Sequence, residues 1–411
     1  MKGMNGAATI RSATRRRGAL ATMLFPSIRT RFAIALLLTF FPFAFLYPLL
    51  YPSGQILTLC CWVWVFPSPL GWLSLGLVPL IPSQAYGYYA FNLFCLIVNL
   101  AIARSALRCT EFSASDLDAL YRLARFSMAV TIVIASIQAV TDPYFWTAIF
   151  PYMRLVAGRG AGLRLEPSQL SCLLALYLAL LAVQTGRGGA YCNSIASRRH
   201  RLWEGITMIL LTVAVSGSIS VLIIALCFAP ALYIRRRHIV LLLASSFFGV
   251  IAAFLILGNR INDAIKISSG SIAELLTTSV DSWRNIPDFL ILSNYSDFLY
   301  PGNPSEVRLK IRTFAVLLNP GLAWVQNTFS EFSVAGVTAG LVGTFVLLAT
   351  GLVIGMKSLP ASAPARLTWF MVYLAAWFIM AKWDPSAWVV LGLLPLMRNL
   401  NKPTIKQCAQ G

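Results

Sequence analysis

An all-α, polytopic transmembrane helical bundle of about twelve spans is the fold this sequence predicts, and three observations predict it. The 411 residues are 58% apolar and only 11% charged, with a mean hydropathy of +0.73, whereas soluble domains are roughly 45–50% apolar and about 25% charged. Apolar runs of about 20 residues, the length that crosses a bilayer as a helix, recur from Phe32 to Met397. Lys and Arg gather in the short breaks between the runs, as topology signals do. A soluble enzyme is excluded, and a β-barrel is disfavoured because the runs do not alternate apolar with polar residues. The net charge of +19 has the distribution of membrane orientation signals, so no nucleic-acid partner is expected.

The runs order themselves by charge. Residues 1–31 form a basic N-terminus that includes Arg15, Arg16, Arg17, Arg29 and Arg31, and so should remain cytoplasmic ahead of the first run, Phe32 to Leu50. No small-residue cleavage site follows, so this run reads as an anchor. Ile56 to Ile81 reads as two short spans broken around Pro67-Ser68-Pro69. Tyr86 to Ile102 then ends inside at Arg104 and Arg108, and Phe126 to Val140 crosses outward. Residues 141–167 form an outside loop rich in Arg and Gly. Ser168 to Val183, Gly205 to Val215, Val221 to Ile234 and Ile239 to Leu257 alternate in direction, and residues 258–333 make a large outside loop. Val334 to Ile354, Leu367 to Met380 and Ser386 to Met397 complete the count and return the C-terminus to the cytoplasm. The whole chain, 1–411, is read as one integral membrane domain without internal repeats.

Several possible chemistries fall away. The eight cysteines include no CxxC pair, and neither histidine has metal-ligand spacing, so no disulfide framework, zinc site or other metal is expected. His200 and His238 each sit in an Arg cluster and read as cytoplasmic flanks. Asp116-Leu117-Asp118 spells the DxD of sugar-nucleotide transferases but lies in a short amphipathic break and reads as a solvated helix face. The runs carry essentially no ionisable residues, which disfavours an ion-coupled transporter.

The unusual polar chemistry lies in the two outside breaks. The first, Arg154 to Ser168, places Arg154, Arg159, Arg164 and Glu166 beside Gly158, Gly160, Gly162 and a Pro167-Ser168 helix start. Arginine grips phosphate oxygens through a planar fork and is always charged, glycine lets backbone approach an anion, and helix N-termini favour anions. An anion site or a basic loop touching lipid headgroups both fit this composition. In the second break, Val307, Ile311, Phe314 and Leu318 form a helical apolar stripe, with Arg308 and Arg312 sharing a neighbouring face and Lys310 pointing elsewhere. This is an amphipathic helix at the outer interface, either presenting two guanidinium groups to a ligand or snorkelling without one. Ser271 to Leu292, with Glu274, Asp281, Arg284 and Asp288, reads as a second such helix with a structural role.

Together these segments resemble the Wzy-type O-antigen and exopolysaccharide polymerases and the related O-antigen ligases. The likeness is carried by Arg159 to Ser168, by Ser216-Gly217-Ser218, and by Arg308 to Pro320-Gly321 followed by Gln326-Asn327 and Gly336. It extends from about residue 126 to 356. Ile219 stands where the family often has Arg, and Gln326 where ligases carry a functional His, which favours the polymerase.

The resemblance implies a cofactor-free glycosyltransferase of the bacterial inner membrane with both termini cytoplasmic and the large loop periplasmic. Its substrate would be an undecaprenyl-pyrophosphate-linked oligosaccharide in the bilayer, and its partners a chain-length regulator and a flippase. Arg159, Arg308 and Arg312 would stabilise the departing pyrophosphate, with Arg164, Arg284 and the backbone at Gly162 as further substrate contacts. Glu166 would be the general base for the acceptor hydroxyl, or would orient Arg159 or Arg164. An O-antigen ligase and a lipid-linked oligosaccharide flippase or transporter are the alternatives.

Overall fold

Long Leu-, Ile-, Val- and Ala-rich runs favour helices, whose backbone polar groups are satisfied internally. In a computed structural model of the chain, every regular element among the described residues is helical. The described residues are 27–41, 53–77, 85–108, 112–149, 158–164, 167–185, 195–233, 286–318, 325, 330–359, 363–378, 380 and 384–395.

In chain order the helices are α1 (Ile28–Phe40), α2 (Ser53–Val65), α3 (Pro69–Leu77), α4 (Ala85–Arg108), α5 (Ala114–Val140), α6 (Pro143–Ile149), α7 (Leu170–Thr185), α8 (Ile195–Ser216) and α9 (Ile219–Tyr233). They continue with α10 (Ile286–Ser293), α11 (Pro304–Leu318), α12 (Glu331–Ser358), α13 (Ala363–Phe378) and α14 (Ser386–Leu393). Among the described residues three helices are long and apolar enough to cross a membrane: Ser115–Val140, Pro167–Thr185 and Phe332–Ser358. Others are shorter. At 13 residues each, α1 and α2 reach only about 20 Å at 1.5 Å per residue.

At the centre stands α7, whose 16 residues are all buried. That explains its all-round apolar sequence, since a helix walled in by others needs no polar face. It packs against α5, α8, α9 and α14. Contacts at the helix ends give the bundle two distinguishable ends. At one, called here the basic end, the Arg31 guanidinium donates to the Trp64 carbonyl at 2.7 Å, and the Ser105 hydroxyl donates to the Pro67 carbonyl at 3.3 Å. Gly392 lies against Ala106 there. At the same end Arg201 meets Asp118 at 3.4 Å, Asp118 meets Arg122 at 3.0 Å, and Glu204 accepts from the Tyr121 and Tyr177 hydroxyls.

These pairings explain two departures from the sequence expectation. The apolar run Gly205 to Val215 is the second half of α8; its polar first half is helical because Arg201 and Glu204 find partners on α5 and α7. Asp116 and Asp118 are engaged instead of simply solvated: Asp116 closes a capping box with Ser113, and Asp118 bridges two arginines. The break at Pro67-Ser68-Pro69 falls where expected, between α2 and α3. Residues 1–26, the run Ile239 to Leu257 and the first part of the long loop, 258–285, lie outside the described residues.

Candidate functional site

The opposite end is organised around the short loop Gly158 to Arg164. Gly158 and Gly162 have φ of 75° and 63°, a backbone that glycine adopts without a Cβ clash. Gly160 is required by contact: a Cβ there would lie 1.9 Å from the Ala135 carbonyl oxygen. The loop therefore lies directly on the α5 backbone. Gln138 clamps it from both sides, its Oε1 accepting from the Ala161 N–H at 2.9 Å and its Nε2 donating to the Gly162 carbonyl at 2.7 Å.

A second contact joins the loop to the turn between α8 and α9. The Gly160 N–H donates to the Val215 carbonyl at 2.8 Å, and Arg159 Nε donates to the Ser216 carbonyl at 2.7 Å. Both acceptors sit in the last turn of α8, where helix carbonyls lack intrahelical partners. Gly217, at φ 53°, ends that helix and its N–H returns to the Val213 carbonyl. The Ser218 and Ser220 hydroxyls share a 2.7 Å hydrogen bond, and Ser220 reaches toward the Ser168 carbonyl at 3.5 Å. Two sequence segments 57 residues apart are thus joined in a largely buried contact.

A third contact reaches α14. Arg164 Nη2 lies 3.2 Å from Asp384 Oδ2, with side chains 11% and 5% exposed. The other carboxylate oxygen accepts the Ser386 N–H, the first of α14, at 2.9 Å. The starts of α7, α9 and α14 all lie at this end, and helix N-termini carry partial positive charge. Asp384 offsets Arg164, and Arg159 Nε donates to the Ser216 carbonyl. Two guanidinium groups, three helix starts and the last carbonyls of α8 thus meet at this loop.

The helix α11 belongs to the same end. Phe332 in the first turn of α12 packs on Phe378 at the end of α13, with ring centroids 4.9 Å apart, and α10 and α11 dock on α12. On α11, Val307, Ile311 and Ala315 are buried. Arg308 is half-buried on the flank of this stripe and Arg312 is exposed one turn later. Lys310 is held elsewhere, 2.7 Å from Asp297 and over the Phe298 ring.

Of the residues predicted for a site, Arg159 and Arg164 share one loop, and Arg308 and Arg312 share one helix at the same end of the bundle. Gly162 is buried, and its carbonyl is taken by Gln138; its place in the loop is conformational. Glu166, Arg284, Arg154 and Gln326 lie outside the described residues. Two contributors were not anticipated: Gln138 and Asp384. Only Asp384 left a signal, an Asp-Pro-Ser spelling of a helix start. Among the described residues no three His, Cys, Asp or Glu side chains gather as metal ligands do. Comparison with protein-family models, with curated proteins and with solved structures finds no match.

Proposed function

We propose that the chain is a membrane glycosyltransferase that polymerises undecaprenyl-pyrophosphate-linked oligosaccharide repeats into a bacterial surface or secreted polysaccharide. The observation that carries this reading is the union of the Arg159 loop with Ser216-Gly217-Ser218 beside the starts of α7, α9 and α14. A lipid pyrophosphate is a membrane-bound polyanion, and the loop brings Arg159 and Arg164 together with three helix starts at one end of an apolar bundle.

In the reaction proposed, the terminal hydroxyl of one lipid-linked repeat attacks the anomeric carbon of another chain. The bond from that carbon to the pyrophosphate oxygen breaks, the electron pair leaves with the pyrophosphate, and the hydroxyl proton passes to a base. Fixed guanidinium groups stabilise the charge that grows on the leaving group. Arg159 and Arg308 take that role, with Arg312 at the more solvent-exposed position. Glu166 is assigned as the base, and Arg164 has Asp384 as its orienting partner.

The same proposal places the bundle across the inner membrane in about twelve spans, with the Arg159 loop and α11 on the periplasmic side. Support comes from the alternating directions of consecutive described helices and from the charge of the other end. Arg29, Arg31, Arg104, Arg108, Arg122, Arg125, Arg199 and Arg366 belong there, as the positive-inside rule requires of a cytoplasmic face.

The test is to delete the gene in its own cell and size the surface glycan and the lipid-linked intermediates. Loss of long chains, with single repeats on lipid carriers exposed outside, is expected. Full-length polymer left on its carrier would mean a ligase, and repeats trapped inside would mean a flippase. An unchanged glycan profile would contradict every reading in this class.

A further inference from the structure

The helix that carries Arg308 and Arg312 is not attached to the bundle by its own buried stripe alone. It is the end of an arm, residues 286 to 318, comprising α10, a 3-10 turn at Tyr295–Phe298, and α11. The arm meets α12 at three levels. Highest in the chain, α12 is interrupted at Gly340, where φ is 71° and ψ is 168°. A break in a helix leaves backbone groups without intrahelical partners. The arm supplies them: the Val342 N–H donates to the Leu299 carbonyl, and the Gly302 N–H donates to the Val337 carbonyl, both at 3.4 Å. Gly340 is needed there, since a Cβ would lie 2.5 Å from the Leu299 oxygen. One turn nearer the start of α12, Ile291 lies against Gly336.

The third level is polar. Asp288 is 8% exposed, and its Oδ1 accepts the Ser330 hydroxyl proton at 2.5 Å. Ser330 is the N-cap of α12, and its Oγ accepts the Ser333 N–H at 3.0 Å while Ser333 Oγ accepts the Ser330 N–H. Asp288 therefore rests at the start of the first segment of α12, ahead of the Gly340 break, where helix N–H groups favour a carboxylate. A carboxylate buried this deeply is costly unless its partners are kept. Apolar contacts such as Ile291 on Gly336 tolerate small slips, but a hydrogen bond to a capped helix start has one register.

We infer that Asp288 is a positioning residue: by docking on the Ser330 cap of α12 it fixes the register of the arm and thereby holds Arg308 at the proposed pyrophosphate site. The inference rests on the catalytic reading of Arg308 for its functional half and on geometry alone for its docking half.

Hydrogen exchange of the full-length protein in lipid nanodiscs separates the two halves. In Asp288→Ala, amides of 286–318 are expected to exchange about tenfold faster while those of α7 and α14 are unchanged. Polymer formation is expected to fall to the level of Arg308→Ala, and the double variant to be no worse than Arg308→Ala alone. Ser330→Ala, which removes the donor and leaves the carboxylate, is expected to loosen the same arm together with the first turn of α12, and Ser330→Thr to restore wild-type exchange. Unchanged exchange in the arm, or faster exchange spread evenly over the chain, would overturn the docking. Selective loosening without loss of polymer, in a protein that Arg308→Ala inactivates, would overturn the positioning role. Selective loosening in a protein whose Arg308→Ala variant is fully active would uphold the docking and sink the catalytic reading of Arg308.

Discussion

Arg164 and Asp384, 220 positions apart in the sequence, form a buried ion pair that ties the arginine loop to the first turn of α14. Burial makes the pair asymmetric in its response to substitution. Removing one partner strands the other charge, at a cost of about 3–5 kcal/mol, whereas an apolar replacement of both is often close to neutral. Arg164→Met and Asp384→Leu are each expected to lower the unfolding midpoint in detergent strongly, and the double variant to recover most of the loss. Additive losses would show that the pair is not a unit.

The loop glycines make a graded prediction. Gly160→Ala puts a methyl group into the Ala135 carbonyl, and backbone on a packed helix cannot step aside. Gly158 has open space around it and only an unfavourable φ, a penalty of roughly 1–2 kcal/mol. Gly160→Ala is expected to displace the loop and abolish polymer formation, while Gly158→Ala keeps measurable activity. Chain-length profiles on gels compare the two, and equal activity would contradict the close approach of loop and helix.

Arg159→Lys isolates geometry from charge. Lysine keeps the positive charge but has no Nε to donate to the Ser216 carbonyl and no planar fork. Its expected effect is a shortened polymer at normal protein level, between wild type and Arg159→Ala. Removing one charge-stabilising donor altogether costs on the order of 10² to 10³ in rate. A lysine variant indistinguishable from wild type would leave charge alone as the requirement.

Asp288 gives a pH signature. Burial pushes its carboxyl up from the ordinary 3.8 to about 6, against hydrogen bonds from Ser330 and Ser333 that pull it down. The folded state therefore holds this proton more tightly than the unfolded state. The resulting stability is full below pH 4 and is lost as pH rises through about 6. Its size is roughly 3 kcal/mol. Asp288→Asn retains an acceptor and cannot titrate, so the stability of wild type relative to this variant is expected to decline from pH 4 to pH 6 and then level off. Parallel profiles would contradict the buried carboxyl.

Much of the architecture is legible in the sequence because bilayer length and helix periodicity are local properties. The helical class, the break at Pro67-Ser68-Pro69, the helix start at Pro167 and the amphipathic stripe of α11 all come from runs of neighbouring residues. What stayed hidden depends on distant partners. The first half of α8 is polar and becomes helical because Arg201 and Glu204 meet α5 and α7. The Gly340 break sits in an apolar run and is compensated by Leu299 and Gly302, about 40 positions away. The arginines of the loop were conspicuous beside their glycines. Their division into a paired Arg164 and a carbonyl-held Arg159 required Asp384 and Ser216 to be folded next to them.

In the proposed reaction the end of the bundle that carries the Arg159 loop breaks the bond between the anomeric carbon and the lipid pyrophosphate while joining glycan repeats. The most direct measurement takes the purified protein in lipid vesicles and supplies the lipid-linked repeat unit isolated from the deletion strain. The expected result is a ladder of lipid-linked products lengthening one repeat at a time, with release of undecaprenyl pyrophosphate, and its collapse in Arg159→Ala. A folded wild-type protein that leaves the repeat unit intact, or an Arg159→Ala variant that makes the same ladder at the same rate, would contradict it.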